Sequence, residues 1–251
     1  MPNAGFSNSA NAWLSSRFHF TQRAWTRWLR MRREPTQFPL KPHARTRNRN
    51  PIMAVIQSRR SFIFSPGTDP SMFGKALASG ADIVCVELED GVAPQHKDIA
   101  RENMLGIFSE PQDDDGVERI VRVNVLGSPE GEADLKAVLA TQTPPPALMM
   151  PKVDKPDDVR RVADALDAAG HKTRLQIIIE TNPGLEAAYE IAQASDRVDA
   201  LLFGGVDLAA DLRCEYGWEP LLYARSRVVH AAAGAGIDVI DVPWLDLGDE
   251  A

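Results

Sequence analysis

Six short apolar runs in this chain of 251 residues end at, or just before, a residue that can do polar chemistry. Residues 61–65 (SFIFS) lead into Pro66-Gly67, and residues 82–88 (DIVCVEL) close on Glu87, Glu89 and Asp90. Residues 119–124 (RIVRVN) carry Arg122 and Asn124; residues 147–152 (ALMMPK) end in Lys152; residues 175–180 (LQIIIE) end in Glu180; and residues 200–204 (ALLFG) precede Asp207. Other chemistries lack their usual support. There is no GxSxG elbow, no GxxxxGK[ST] loop and no HExxH pair, Gly234-Ala235-Gly236 precedes an apolar run rather than a helix, and His96 and His230 stand alone. Cys85 and Cys214 are far apart without metal spacing, as expected of a reducing compartment. What remains is a set of carboxylates with an arginine. Each, taken singly, could be a helix cap or a loop ion pair, but Glu180 follows Ile177-Ile178-Ile179 directly, and a carboxylate finishing a buried strand requires a partner.

The elements that must position these groups follow from periodicity. With residues 238–242 (DVIDV) there are seven short apolar runs, five of them β-branched, separated by stretches with helical spacing such as 157–169 (Val159, Val162, Ala163, Leu166, Ala168) and 185–194. Strands that are nearly all apolar and alternate with single helices predict a parallel sheet covered on its outer face. The repeated βα units favour a (β/α)8 barrel of the TIM type over an open doubly wound sheet, although spacing alone leaves both open. In a barrel every strand's C-terminal end lies on one face, where residues distant in sequence can meet.

Composition adds two constraints. At 44 % apolar and 25 % charged residues the chain is ordinary for a globular protein, and no uncharged apolar run is long enough to span a membrane. The net charge of −7 is uneven: residues 1–52 carry ten Lys/Arg against Glu34, or +9, leaving −16 on the rest. That acidic part has no field to attract nucleic acid or an anionic membrane. The basic leader, with Trp13, Trp25 and Trp28, has the composition of an organelle transit peptide, of a nucleic-acid arm, or of translated sequence upstream of a natural start at Met53. Residues 34–51 show neither helical nor strand periodicity, so the expected organisation is a leader, 1–52, without a core and a barrel domain, 53–251. The expected location is cytoplasmic, or mitochondrial if the leader is a transit peptide.

Six ordered blocks resemble the citrate lyase β-subunit-like family, also called HpcH/HpaI aldolases. They are Arg60 to Gly67 with Lys75; Glu87-Leu88-Glu89-Asp90-Gly91 with Lys97 and Arg101; Val121 to Asn124 with Gly131 and Asp134; Met150-Pro151-Lys152-Val153; Ile179-Glu180-Thr181 with Gly184; and Phe203-Gly204-Gly205-Val206-Asp207-Leu208 with Asp211. The resemblance implies a barrel that uses Mg²⁺, with Mn²⁺ as an alternative, to make or break a C–C bond between a 2-oxo acid unit and an acyl-CoA enolate. It implies Glu180 and Asp207 as metal ligands, Arg122 as the clamp on a substrate carboxylate, and Glu89 and Asp90 as residues orienting metal-bound water or Arg122. Lys75 and Lys152 are candidates for contacts to a CoA ester, against the alternative of solvation or pairing with acids such as Glu89. The partners implied are a CoA thioester and a 2-oxo or 2-hydroxy acid, within a homo-oligomer that is trimeric or hexameric.

The sequence departs from that family at Glu87, where the pattern has a shorter acid, and after the seventh run, where family members continue into an eighth strand and a C-terminal helical lid. The expectation is therefore a barrel lacking its eighth strand, with exposed edges that invite self-association. Three functions stand open: a CoA-ester lyase, a catalytically impaired metal- and dicarboxylate-binding remnant, and an aldolase acting on free 2-oxo acids.

Overall fold

The computed structural model describes residues 58–243. The leader, 1–52, and residues 53–57 and 244–251 of the expected barrel domain lie outside them. All seven apolar runs are strands: β1 (Phe62–Pro66), β2 (Ile83–Glu87), β3 (Glu118–Arg122), β4 (Ala147–Met150), β5 (Arg174–Ile179), β6 (Val198–Phe203) and β7 (Asp238–Ile240). They form one parallel sheet in the order of the chain, each strand beside its predecessor. Eight α-helices link them: α1 (Pro70–Leu77), α2 (Lys97–Ser109), α3 (Pro129–Ala140), α4 (Pro156–Ala168), α5 (Asn182–Glu186), α6 (Ala188–Ile191), α7 (Gly205–Leu212) and α8 (Trp218–Ala235).

Helix starts sit where the sequence supplies caps. Asp69, Ser128 and Thr181 accept hydrogen bonds from the backbone N–H groups of Ser71, Gly131 and Gly184, and proline follows in the first turn of α1, α3 and α5. The stretch 157–169 matches α4, whereas 185–194 is divided between α5 and α6 at Ala187 (φ −89°, ψ 5°). The Thr181 cap starts α5 early and Gly184 lies against the Val153 carbonyl, where an added Cβ would stand 2.4 Å from the oxygen. The segment is thus tied to the loop after β4 and cannot run on as one straight helix.

A sequential strand order requires every crossover to turn the same way, so the sheet curls with its helices on one side. Alternate strand residues feed two cores. Val84, Val86, Val121, Leu148, Ile177 and Phe203 pack outward against helices, while Ile83, Cys85, Ile120, Met149, Ile178 and Leu202 fill the inner face together with Phe62 and Phe64. Beneath β1, Arg59 closes the curl at its base: its guanidinium meets Glu118 at 2.7 Å, Asp199 at 2.8 Å and Asp238 at 3.0 Å, on β3, β6 and β7. Above that brace β1 and β7 do not pair, and a groove of about 310 Å³ separates them, lined by Phe62, Phe64, Val239 and Ile240. No described helix is long and apolar enough to cross a membrane.

Candidate functional site

The C-terminal ends of β2 and β3 meet first. Glu87 ends β2 and Arg122 ends β3, paired in register. Glu87 Oε2 accepts from Arg122 Nε at 2.6 Å and lies 2.5 Å from its Nη2, while Oε1 accepts from the Glu89 backbone N–H. Glu89 Oε2 is buried without a hydrogen bond in line, although Arg122 Nη1 stands 3.2 Å away. The Phe64 ring lies under the guanidinium, 4.7 Å from centroid to Cζ. Burial opposes the charge on Arg122, but the fields of Glu87 and Glu89 outweigh it and hold its proton more tightly than usual. Burial pushes the Glu87 carboxyl up against the pull of Arg122. Lys97, from the first turn of α2, donates to the carbonyls of Leu88 (2.8 Å) and Glu89 (2.6 Å) and fixes the loop that carries these acids.

The ends of β4, β5 and β6 supply the other half. Lys152 has φ 51°, a left-handed conformation that a residue with a Cβ adopts at a cost. That turn aims its backbone N–H at Glu180 Oε1, 2.8 Å away, and its ammonium at Glu89 (2.6 Å), Asp90 (3.1 Å) and Asp207 (3.4 Å). Glu180 lies just past β5 under Gly204, where a Cβ would stand 2.4 Å from the Glu180 Cβ. Asp207 stands in the first turn of α7. Burial, reinforced by the fields of Asp207 and Glu89, pushes the Glu180 pKa up to about 7 against the Lys152 N–H.

One cleft of about 130 Å³ is lined by Phe64, Asp90, Arg122, Glu180 and Asp207. The four carboxylates of Glu87, Glu89, Asp90 and Asp207 face the cations Arg122 and Lys152, with Glu180 held beside them by the Lys152 backbone N–H, so the acids outnumber the cations. A buried, repelled carboxylate beside a second one suits a hard divalent cation. Among the described residues no group of three His, Cys, Asp or Glu side chains is placed to hold a metal.

Of the residues singled out in the sequence, Glu89, Asp90, Arg122, Lys152, Glu180 and Asp207 come together. Lys75 does not: it sits in the last turn of α1, exposed, with Met72 Sδ 3.7 Å away, because α1 carries its end away from the strand tips. Lys152 takes the alternative of pairing with acids. Asn124 accounts for Asp134, which accepts from its backbone and side-chain amides and from Arg101, a network that locks α2 and α3. The sequence noted Glu87 and Lys97 without giving them roles, and it treated Phe64 only as an apolar residue of the first strand. Glu87 and Phe64 act on Arg122, a partner brought close by the sheet, whereas Lys97 acts on carbonyls of the loop eight and nine residues before it.

The chain is similar to known proteins of one family. The family model described as HpcH/HpaI aldolase/citrate lyase matches residues 60–251. The citrate lyase β subunit of Escherichia coli K12 is 35 % identical over 78 % of this chain and 67 % of its own length. The mitochondrial citramalyl-CoA lyase of Homo sapiens is 31 % identical over 77 % of this chain, which spans 61 % of that enzyme. The structure of CitE from Mycobacterium tuberculosis in complex with magnesium, acetoacetate and coenzyme A superposes with a TM-score of 0.62 at 28 % identity, covering 76 % of this chain and 69 % of that one.

Proposed function

Since this chain belongs to the HpcH/HpaI aldolase/citrate lyase family, we propose that it is a carbon–carbon lyase acting on a CoA thioester, with the cleft around Glu180 and Asp207 as its active site. The observation that carries the reading is Glu180: a buried carboxylate, pushed up to about 7, beside Asp207 at the mouth of a curled sheet. Glu180 and Asp207 would hold Mg²⁺, or Mn²⁺ in its place, a Lewis acid that polarises the oxygen becoming a carbonyl in retro-aldol cleavage.

The chain's own residues do the rest. Arg122, fixed by Glu87 from one side and by Phe64 from below, keeps N–H donors for a substrate carboxylate, and its planar fork orients that group. Glu89 sets Arg122 and Lys152 in place, and Asp90 lines the cleft as a further acceptor. The apolar walls, Phe64 with Ile178 and Leu202, keep water from the face of the bound acid. The fold reading that goes with this is a (β/α)8-type barrel of which the described residues supply seven strands, supported by the helices on one face and the groove between β1 and β7. Residues 1–52 are assigned no part in the site.

The test is titration with Mn²⁺ followed by assay with citramalyl-, malyl- and citryl-type thioesters and with the free acids. Glu180→Gln and Asp207→Asn should each weaken metal binding at least about tenfold, as loss of a carboxylate ligand implies. Binding equal to the parent in both variants would overturn the site. Metal binding without turnover of any thioester would favour the impaired remnant, and turnover of free acids alone the aldolase.

A further inference from the structure

We propose that Lys152 is a resident counter-ion of the cleft, its ammonium standing among Glu89, Asp90 and Asp207 in place of a divalent cation and releasing Asp207 when that cation enters. The inference rests on the reading of Glu180 and Asp207 as the metal ligands. An ammonium has three N–H donors, and Lys152 has three carboxylates around it, at 2.6, 3.1 and 3.4 Å. Asp207 is the most distant of the three, an ion pair at 3.4 Å where Glu89 and Asp90 accept hydrogen bonds at 2.6 and 3.1 Å, and its 40 % side-chain exposure lies between Glu89 at 4 % and Asp90 at 60 %. The contact to Asp207 is therefore the weakest and the first to give way to a doubly charged competitor.

The same residue addresses both ligands. Its backbone N–H holds Glu180 Oε1 while its side chain reaches Asp207, and the left-handed φ of 51° permits both at once. Glu89 and Asp90 keep the ammonium after Asp207 has turned away, so the lysine stays in the cleft and its charge remains close to the entering cation. A lysine that only braced the loop and one that neutralises the site make opposite predictions. Removing a brace loosens Asp207 and weakens metal binding. Removing the counter-ion leaves Glu89, Asp90, Glu180 and Asp207 with less compensation and strengthens it.

The experiment compares the parent, Lys152→Met, Lys152→Arg and Glu180→Gln by Mn²⁺ titration, and joins Lys152→Met with Asp207→Asn in a double-mutant cycle on the metal-free full chain. Lys152→Met should bind Mn²⁺ about threefold or more tighter than the parent, and Lys152→Arg within about twofold of it, because only the charge matters. In the metal-free cycle Asp207→Asn should lower the melting temperature less in the Lys152→Met background than in the parent. If the parent binds Mn²⁺, Glu180→Gln loses it and Lys152→Met binds equally or more weakly, the counter-ion is overturned and the metal reading stands. If the parent binds no Mn²⁺, the metal reading and the exchange both fall. Absence of coupling in the cycle overturns the resident counter-ion whatever the metal does.

Discussion

A carboxyl group pushed up to about 7 keeps its proton across a range in which an ordinary glutamate has lost it, and Glu180 is held in that state mainly by burial. Below about pH 4.5 the group is protonated in both folded and unfolded chains; between about 4.5 and 7 only the folded chain holds the proton. Folding stability contributed by Glu180 is therefore fullest in acid and falls as the pH rises through that window, by on the order of 3 kcal/mol in all. Denaturant titrations at pH 5 and 7.5 should show this fall in the parent and a smaller one in Glu180→Gln. A cation must displace the same proton, so Mn²⁺ affinity should rise with pH to about 7 and then level. A titration series from pH 5.5 to 8.5 reads it, and an affinity independent of pH would remove Glu180 from the ligand set. The carboxylates of this site were legible because each ends an apolar run. The pairing of Arg122 with Glu87 was not, because those residues are 35 positions apart and meet only through strand register.

Gly204, the residue after β6, shows how an element keeps the site open. A methyl group there would stand 2.4 Å from Glu180 Cβ and 2.7 Å from its Oε2, so Gly204→Ala should displace the carboxylate, destabilise the fold by about 1–3 kcal/mol and weaken Mn²⁺ binding. Gly74, inside α1 with open space where its Cβ would be, is the control. Gly74→Ala should be neutral or stabilise by up to about 1 kcal/mol with metal binding unchanged, both measurable by denaturant titration. The strands were legible as short apolar runs, and α4 from its apolar spacing. The break at Ala187 was not, because it depends on the approach of Gly184 to Val153 on a different unit. Gly131 and Asp134, prominent in the motif, have structural reasons of the same kind: a Cβ at Gly131 would stand 2.2 Å from the Val125 carbonyl oxygen, and Asp134 is fully buried under Asn124 and Arg101.

At the scale of the whole molecule the sheet is tied below and open above. Arg59→Met should cost on the order of 2 kcal/mol by denaturant titration, less than a fully stranded buried pair, because Arg174 at 2.8 Å still serves Glu118. The outer edges of β1 and β7, which pair with no strand among the described residues and carry exposed Ile63 and Val239, should make the chain associate with itself as its concentration rises, a dependence that sedimentation velocity would measure. The partners of Arg59 lie 59, 140 and 179 residues further along the chain, whereas each strand pairs only with its immediate neighbours in the order of the chain. During synthesis, which delivers the N-terminal strands first, the sheet can thus lengthen one unit at a time. Its base cannot be drawn together until Asp238 has emerged, and the Glu180 and Asp207 pair assembles only after most of the chain is already outside the ribosome. Premature arrest of translation would leave Arg59 and Glu118 joined but the later acids missing, a nascent intermediate open at both ends of the sheet's circumference.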